Sequence, residues 1–224
     1  MQVTGNSRLS IQLSSNGYLY RIYDGDKLIS KSDWIQVENE ISQPEFEYDY
    51  VQVTISILTP KVSIFPSQFF LKEYARELLT EVVKLTDKDI VTYSKDDILE
   101  IVTIFSTEVN NSNLDNLKNR FEKVELKSEL ALLLNEIHLI EDYNKILVSY
   151  LDGYLYLVIA NDGKTLRLAN VFKAADFTTA LYFLFYALKK FQINPEISTL
   201  YVRTPLEEGQ NILLYRYFKS VEEI

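Results

Sequence analysis

Polar and apolar residues alternate at both ends of the chain. Leu9, Ile11 and Leu13 alternate with Ser10, Gln12 and Ser14, the period of a half-buried strand. Asn16-Gly17 follows, a pair that favours a type I′ hairpin because both central residues of that turn need positive φ. Residues 18–23 predict a second strand, Asp24-Gly25 another such turn, and 27–31 a third strand. Val51, Val53, Ile55 and Ile57 alternate with Gln52, Thr54 and Ser56, and Thr59-Pro60 turns the chain into a strand at 61–65. Pro66-Ser67 predicts a helix with Ser67 as N-cap, because Phe70, Leu71, Tyr74, Leu78 and Val82 recur at helical spacing to about Leu85. Strands are expected at 90–93 and 98–105, then a short helix near 114–121 and a leucine-rich helix over 128–138.

The last third predicts strands at 146–151, 154–160 and 165–170, with Asp152-Gly153 and Asp162-Gly163 as the turns between them. A helix is expected over 175–191, ended by Asn194-Pro195, then a strand at 199–203 and a final helix near 211–221. Residues 154–160 are apolar at every position, as in a strand covered on both faces. Phe177, Leu181, Tyr182, Phe183, Leu184, Phe185, Tyr186 and Leu188 make the following helix apolar nearly all round, which predicts burial.

These two meanders repeat each other. Gly17-Tyr18-Leu19-Tyr20 recurs as Gly153-Tyr154-Leu155-Tyr156, with Asn16 against Asp152. Beyond two extra residues, Ala160 and Asn161, Asp24-Gly25 matches Asp162-Gly163, Leu28 matches Leu166 and Trp34 matches Phe172. Four of the chain's six glycines thus fall at paired positions. The matched order of strand, turn, strand, turn, strand predicts an internal duplication, with one half over 1–125 and the other over 126–224.

Composition narrows the chemistry. Cysteine is absent and there is one histidine, which excludes disulfides, thiol nucleophiles, zinc-thiolate sites and multi-histidine metal centres. The 224 residues carry a net charge of −9 without a Lys/Arg cluster, so nucleic-acid phosphates and anionic membranes are poor matches and a neutral or basic protein is a better one. Met1 to Ser10 has no signal-peptide pattern, and the most apolar runs are far shorter than the ~20 residues that span a bilayer. A cytoplasmic protein is expected. Segment 36–50 holds Glu38, Glu40, Glu45, Glu47 and Asp49 and no Lys or Arg, predicting a solvated or mobile loop. Asp96-Asp97 with Glu100, Glu207-Glu208 and Glu222-Glu223 are expected to be solvated charge, and His138 a helix-end cap or surface residue rather than a catalyst.

Two three-stranded meanders, each leading into helices and strands, resemble the opening of each half of the actin-like ATPase architecture. Leu168-Ala169-Asn170-Val171-Phe172, Asp176-Phe177, the aromatic helix, Gln192-Ile193-Asn194-Pro195-Glu196 and Leu214-Tyr215-Arg216-Tyr217 are similar to an uncharacterised bacterial family with that fold. Val62-Ser63-Ile64-Phe65-Pro66 with Phe69-Phe70 is similar to its middle segment. The resemblance implies a duplicated, ribonuclease-H-like fold of the α+β or α/β class, each half opening with a three-stranded meander. It also implies where a nucleotide would sit: at Asn16, Gly17, Asp152, Gly153 and Thr204, with Mg-ATP as cofactor.

Active members of that architecture carry a D-x-G motif at each first hairpin, where the Asp positions Mg²⁺ or water. Here that Asp falls at Ser15 and Leu151, tyrosines follow the glycines, and Thr204-Pro205 replaces a Gly-Gly turn, where Pro205 has no amide to donate. No other phosphate-binding loop pattern is present. The expectation is a degenerate fold that has lost nucleotide hydrolysis, takes no cofactor and has no catalytic or metal residues. It would bind a protein or peptide, and a homodimer is compatible with it. The alternative is an active nucleotide-binding ATPase or kinase-like enzyme with divergent phosphate loops.

Overall fold

The computed structural model describes residues 6–37, 40–107, 111–162 and 165–224. It divides into two compact units, Met1–Lys95 with Val102–Ser128, and Asp96–Ile101 with Glu129–Ile224. Glu38 and the turn expected at Gly163 lie outside the described residues.

In the first unit, β1 (Ser7–Leu13), β2 (Gly17–Asp24) and β3 (Lys27–Lys31) pair antiparallel, and β4 (Ile35–Gln36) returns beside the start of β2. β5 (Gln52–Ile57) lies parallel to β1. Next come β6 (Val62–Pro66), α1 (Ala75–Thr80), β7 (Val91–Asp96), β8 (Ile101–Ser106), α2 (Asn111–Arg120) and β9 (Val124–Ser128). β9 pairs parallel with β5, giving the order β3-β2-β1-β5-β9, while β6-β8-β7 form a separate sheet. Alternation puts Leu9, Ile11 and Leu13 with Val53, Ile55 and Ile57 in one core, with Leu114 and Leu117 of α2. A smaller core gathers Leu79, Val102 and Ile104.

Two expectations fail here. Residues 67–85 do not form one helix: Ser67–Phe69 and Lys72–Tyr74 are single 3₁₀ turns, Phe70 and Leu71 are extended, and Ser67 makes no cap. The break lets Phe70 turn onto Tyr93, ring centres 4.8 Å apart, leaving only α1 regular. Within the acidic segment, residues 40–50 are pinned rather than solvated throughout. Ile41 and Phe46 are buried, the Phe46 ring meets Tyr20 at 5.3 Å and Phe121 at 6.1 Å, and Arg120 donates to the Phe46 carbonyl at 2.6 Å. One buried ring outweighs the surrounding carboxylates, one of which, Glu47, also pairs with Arg120.

The second unit opens with α3 (Glu129–Glu136), extended by a 3₁₀ turn at Ile137–Leu139. β10 (Asn144–Leu151), β11 (Tyr154–Asn161) and β12 (Leu166–Lys173) pair antiparallel. α4 (Phe177–Lys190), β13 (Thr199–Val202), α5 (Glu208–Tyr215) and β14 (Ser220–Glu223) follow. β13 is parallel to β10, and β14 to β13, so the order is β12-β11-β10-β13-β14. With β4 set aside, both main sheets follow one path: the third, second and first strands antiparallel, then two later strands parallel to the first.

Ile146, Val148, Leu155, Leu157 and Ile159 pack one sheet face against α4 and α5, and α3 lies against β11. The apolar run in β11 is buried from Leu155 to Ala160, as its composition predicts. Asp176 caps α4 by accepting from the Thr179 amide at 2.8 Å. α4 is not buried all round: Tyr182 is 63% and Tyr186 56% exposed, because their hydroxyl ends tolerate water while Leu181, Leu184 and Leu188 fill the core. The final helix stops at Tyr215, where Phe218 and Val221 turn inward and the chain becomes β14. Among the described residues no helix is long and apolar enough to cross a membrane.

Candidate functional site

The first hairpin closes on itself. Leu13 pairs with Tyr18, leaving four residues between them. Ser14 Oγ accepts from the amides of Asn16 at 3.0 Å and Gly17 at 3.2 Å, and the Ser14 amide donates to the Gly17 carbonyl at 2.9 Å. Neither Asn16 nor Gly17 has positive φ, so this is not the type I′ turn their pairing predicts. Glycine is required for a different reason. A Cβ at position 17 would stand 2.6 Å from the Ile35 carbonyl oxygen and from two ring carbons of Trp34. The amides a phosphate would need are therefore engaged by Ser14, and the open side of the glycine is filled by an indole.

At the second hairpin Leu151 pairs with Tyr154, and Asp152 (φ 51°) and Gly153 (φ 76°) are both left-handed. This is the two-residue turn the sequence predicts. The Gly153 carbonyl accepts from the Ala174 amide at 2.8 Å. The turn near Asp24 centres instead on Gly25-Asp26, where only Gly25 has positive φ.

Thr204 is fully buried. Its Oγ1 accepts from the Tyr150 amide at 3.0 Å and donates to the Tyr150 carbonyl at 3.2 Å, so the side chain substitutes for a strand partner beyond the end of β13. Asp152, Gly153 and Thr204 are thus brought to one place, the carboxyl edge of the parallel pair β10–β13. Asn16 and Gly17 lie at the corresponding edge of β1 in the first unit.

Beside Thr204 is a cavity of about 140 Å³ lined by Val202, Thr204, Leu206, Asn211, Val221 and Glu223. Glu223 is the charged side chain in its lining. Burial, then Asp176 and Glu207, raise the Tyr150 pKa. Glu207 also caps α5 in a reciprocal box with Gln210. Arg203, the cation nearest in sequence, is committed elsewhere: Nη1 lies 3.1 Å from Glu129 and Nε 3.0 Å from Glu136. The roles of Trp34, Leu206 and Asn211 carry no local sequence signature, because each depends on contacts with distant residues, whereas Ser14 acts on amides only two and three residues on, as Ser does in tight turns.

Other candidates take structural positions. Asp96 accepts from the amides of Ile98 and Leu99 and from Asn135, which makes it a turn anchor rather than solvated charge. His138 is not a surface residue: its side chain is largely buried in the last turn of the 3₁₀ extension, with Nε2 3.9 Å from Asp96. Among the described residues no three His, Asp or Glu side chains come together as a metal site.

The sequence pattern of a family described as "Protein of unknown function (DUF3822)" matches residues 1–221. The chain belongs to the DUF3822 family. Its fold is that of actin-like ATPases. A Bacteroides thetaiotaomicron protein with actin-like ATPase fold and unknown function is similar at 21% identity and TM-score 0.71, covering 98% of this chain and 91% of that one. The PilM–PilN type IV pilus biogenesis complex is similar at 11% identity and TM-score 0.57, over 97% of this chain and 88% of that one. The cytoplasmic domain of EpsL, an inner membrane component of the Vibrio cholerae type II secretion system, matches at 14% identity and TM-score 0.52, over 91% and 84%. A search of curated proteins returns no match.

Proposed function

We propose that this DUF3822 chain is a nucleotide-independent, protein-binding form of the actin-like fold, made of two copies of one unit and working in the cytoplasm as a docking or scaffold module. The observation that carries the reading is the first hairpin, where Ser14 holds the amides of Asn16 and Gly17 and Trp34 fills the space beside the glycine. A phosphate would have to displace both. Thr204 adds to it, since both hydrogen-bonding functions of its hydroxyl serve the Tyr150 backbone. The shared strand order and the Gly-Tyr-Leu-Tyr repeat support duplication, with the halves at 1–125 and 126–224. A protein partner is supported by analogy of fold with the PilM–PilN complex.

Trp34 is the chain's single tryptophan, so its emission reports on this hairpin. Titration with Mg-ATP is expected to change neither Trp34 emission nor the thermal midpoint. A nucleotide present at 100 times its Kd would stabilise the protein by about 2.7 kcal/mol. A saturable shift of that size, lost in Asp152→Ala, would establish the alternative of an active ATPase or kinase-like enzyme with divergent phosphate loops.

A further inference from the structure

The cavity at the carboxyl edge of the second unit has an amphipathic lining. Val202, Leu206 and Val221 supply apolar walls, while Thr204, Asn211 and Glu223 supply polar atoms. We propose that this cavity seats one arginine or lysine side chain of a partner protein, its aliphatic stem against Val202, Leu206 and Val221 and its charge toward Glu223. This rests on the protein-binding reading above and names the chemistry of the partner.

Size decides against a nucleotide and for a single side chain. At about 140 Å³ the space is close to the ~150 Å³ that holds one benzene, whereas small-molecule pockets run to roughly 300–1,000 Å³. Shape favours a long side chain with an apolar stem and a polar tip, the property that lets arginine and lysine lie along apolar surface with their charge at its margin.

Charge selects the sign. Asp152 follows β10, Asp176 precedes α4, Glu207 and Glu208 open α5, and Glu223 ends β14, so five carboxylates stand at one edge of the sheet. Arg203, the cation nearest in sequence, is held by Glu129 and Glu136. A phosphate is repelled by this arrangement and a guanidinium or ammonium is drawn in. β14 borders the sheet, so an extended partner segment can run beside it and place every second side chain on the cavity's face.

The test uses the full chain, ¹⁵N-labelled, titrated with the peptide acetyl-Ser-Val-Arg-Val-Ser-amide and with the same peptide carrying norleucine for arginine. Saturable shifts of the Thr204, Asn211 and Glu223 amides are expected for the arginine peptide. Binding of the norleucine peptide is expected to be about tenfold weaker, the loss associated with a charge-assisted contact. Glu223→Gln, at an exposed position, should weaken the arginine peptide to the level of the norleucine one while the rest of the amide spectrum stays in place. Absence of saturable shifts at these amides, equal binding of the two peptides, or an unaffected Glu223→Gln variant overturns the proposal. Mg-ATP added to the same sample separates the two readings. Silence toward both ligands overturns only the basic-side-chain site, whereas nucleotide shifts at Asp152 and Gly153 overturn the nucleotide-independent reading on their own.

Discussion

Trp34 occupies the volume that a side chain on Gly17 would need, with ring carbons Cε2 and Cζ2 2.6 Å from the position of a Cβ there. A contact that short cannot persist, and the second obstruction, the Ile35 carbonyl, is backbone and cannot swing aside. Glycine at this hairpin therefore serves close packing of β4 against β2, not approach of a phosphate.

Gly17→Ala is expected to destabilise the protein by about 1–3 kcal/mol, the usual cost of overpacking a filled site. Urea unfolding followed by circular dichroism, a signal that survives removal of Trp34, would read this as a lower midpoint with an unchanged slope. Trp34→Ala should be less harmful in the Gly17→Ala background than alone, because the two residues share one space. Recovery should stay incomplete because Ile35 remains. A neutral Gly17→Ala would remove the argument that this hairpin is closed.

Asp89 is expected to dominate the acid stability of the first unit. Its carboxylate lies 3.0 Å from Lys61 Nζ through both oxygens and also accepts from Ser106 Oγ, the Thr86 amide and the Thr86 hydroxyl. Burial alone would raise its pKa, but these hydrogen bonds outweigh it and hold the group well below the ordinary carboxylate range. Folding therefore favours the ionised form. That contribution is complete above the unfolded pKa of about 3.9 and is lost as pH falls from there through the folded value. Asp89→Asn should cost about 3–5 kcal/mol at pH 7, as when one partner of a buried pair is removed. The gap between variant and parent in urea midpoint should hold above about pH 4 and narrow as pH falls below it, and a gap independent of pH would contradict the assignment.

Strands were legible where alternation persisted. Leu9, Ile11 and Leu13 or Val53, Ile55 and Ile57 repeat the pattern long enough to define a face, and all six are buried. β14 has four residues and β9 five, too few for a period to stand out from chance. Helical spacing at Phe70 and Tyr74 misled because Phe70 leaves the helical path to reach Tyr93. Treating tyrosine as apolar misled at α4, where Tyr182 and Tyr186 face outward. At the candidate site, glycine positions were legible but their reasons were not. Trp34 over Gly17 and Thr204 on Tyr150, 54 residues apart, are tertiary facts that no local pattern encodes.

Thr204→Val keeps the shape of the side chain and removes its hydroxyl. Two hydrogen bonds to the Tyr150 backbone are lost, leaving that amide and carbonyl without the partner that the buried Thr204 side chain supplies. Destabilisation of about 1–3 kcal/mol is expected, with amide exchange at Tyr150 accelerated. If Thr204 were held for nucleotide rather than for this strand contact, the variant would lose a Mg-ATP response and keep its stability. The structural role predicts the reverse.

Arg203 and Glu129 offer the most discriminating test of the second unit. Their side chains are 3% and 0% exposed and meet at 3.1 Å, with Glu136 adding a second carboxylate to the same guanidinium. Burying both charges has already cost much of what their attraction returns, so the pair is worth little against an apolar replacement. Removing one member is a different matter, because the other stays buried without its counter-ion. Arg203→Met alone and Glu129→Leu alone should each cost about 3–5 kcal/mol, while the double variant should lie close to the parent. In a double-mutant cycle the coupling should therefore approach the sum of the two single losses. Additive losses would mean that Arg203 is stabilised mainly by Glu136 and that Glu129 is balanced by other groups.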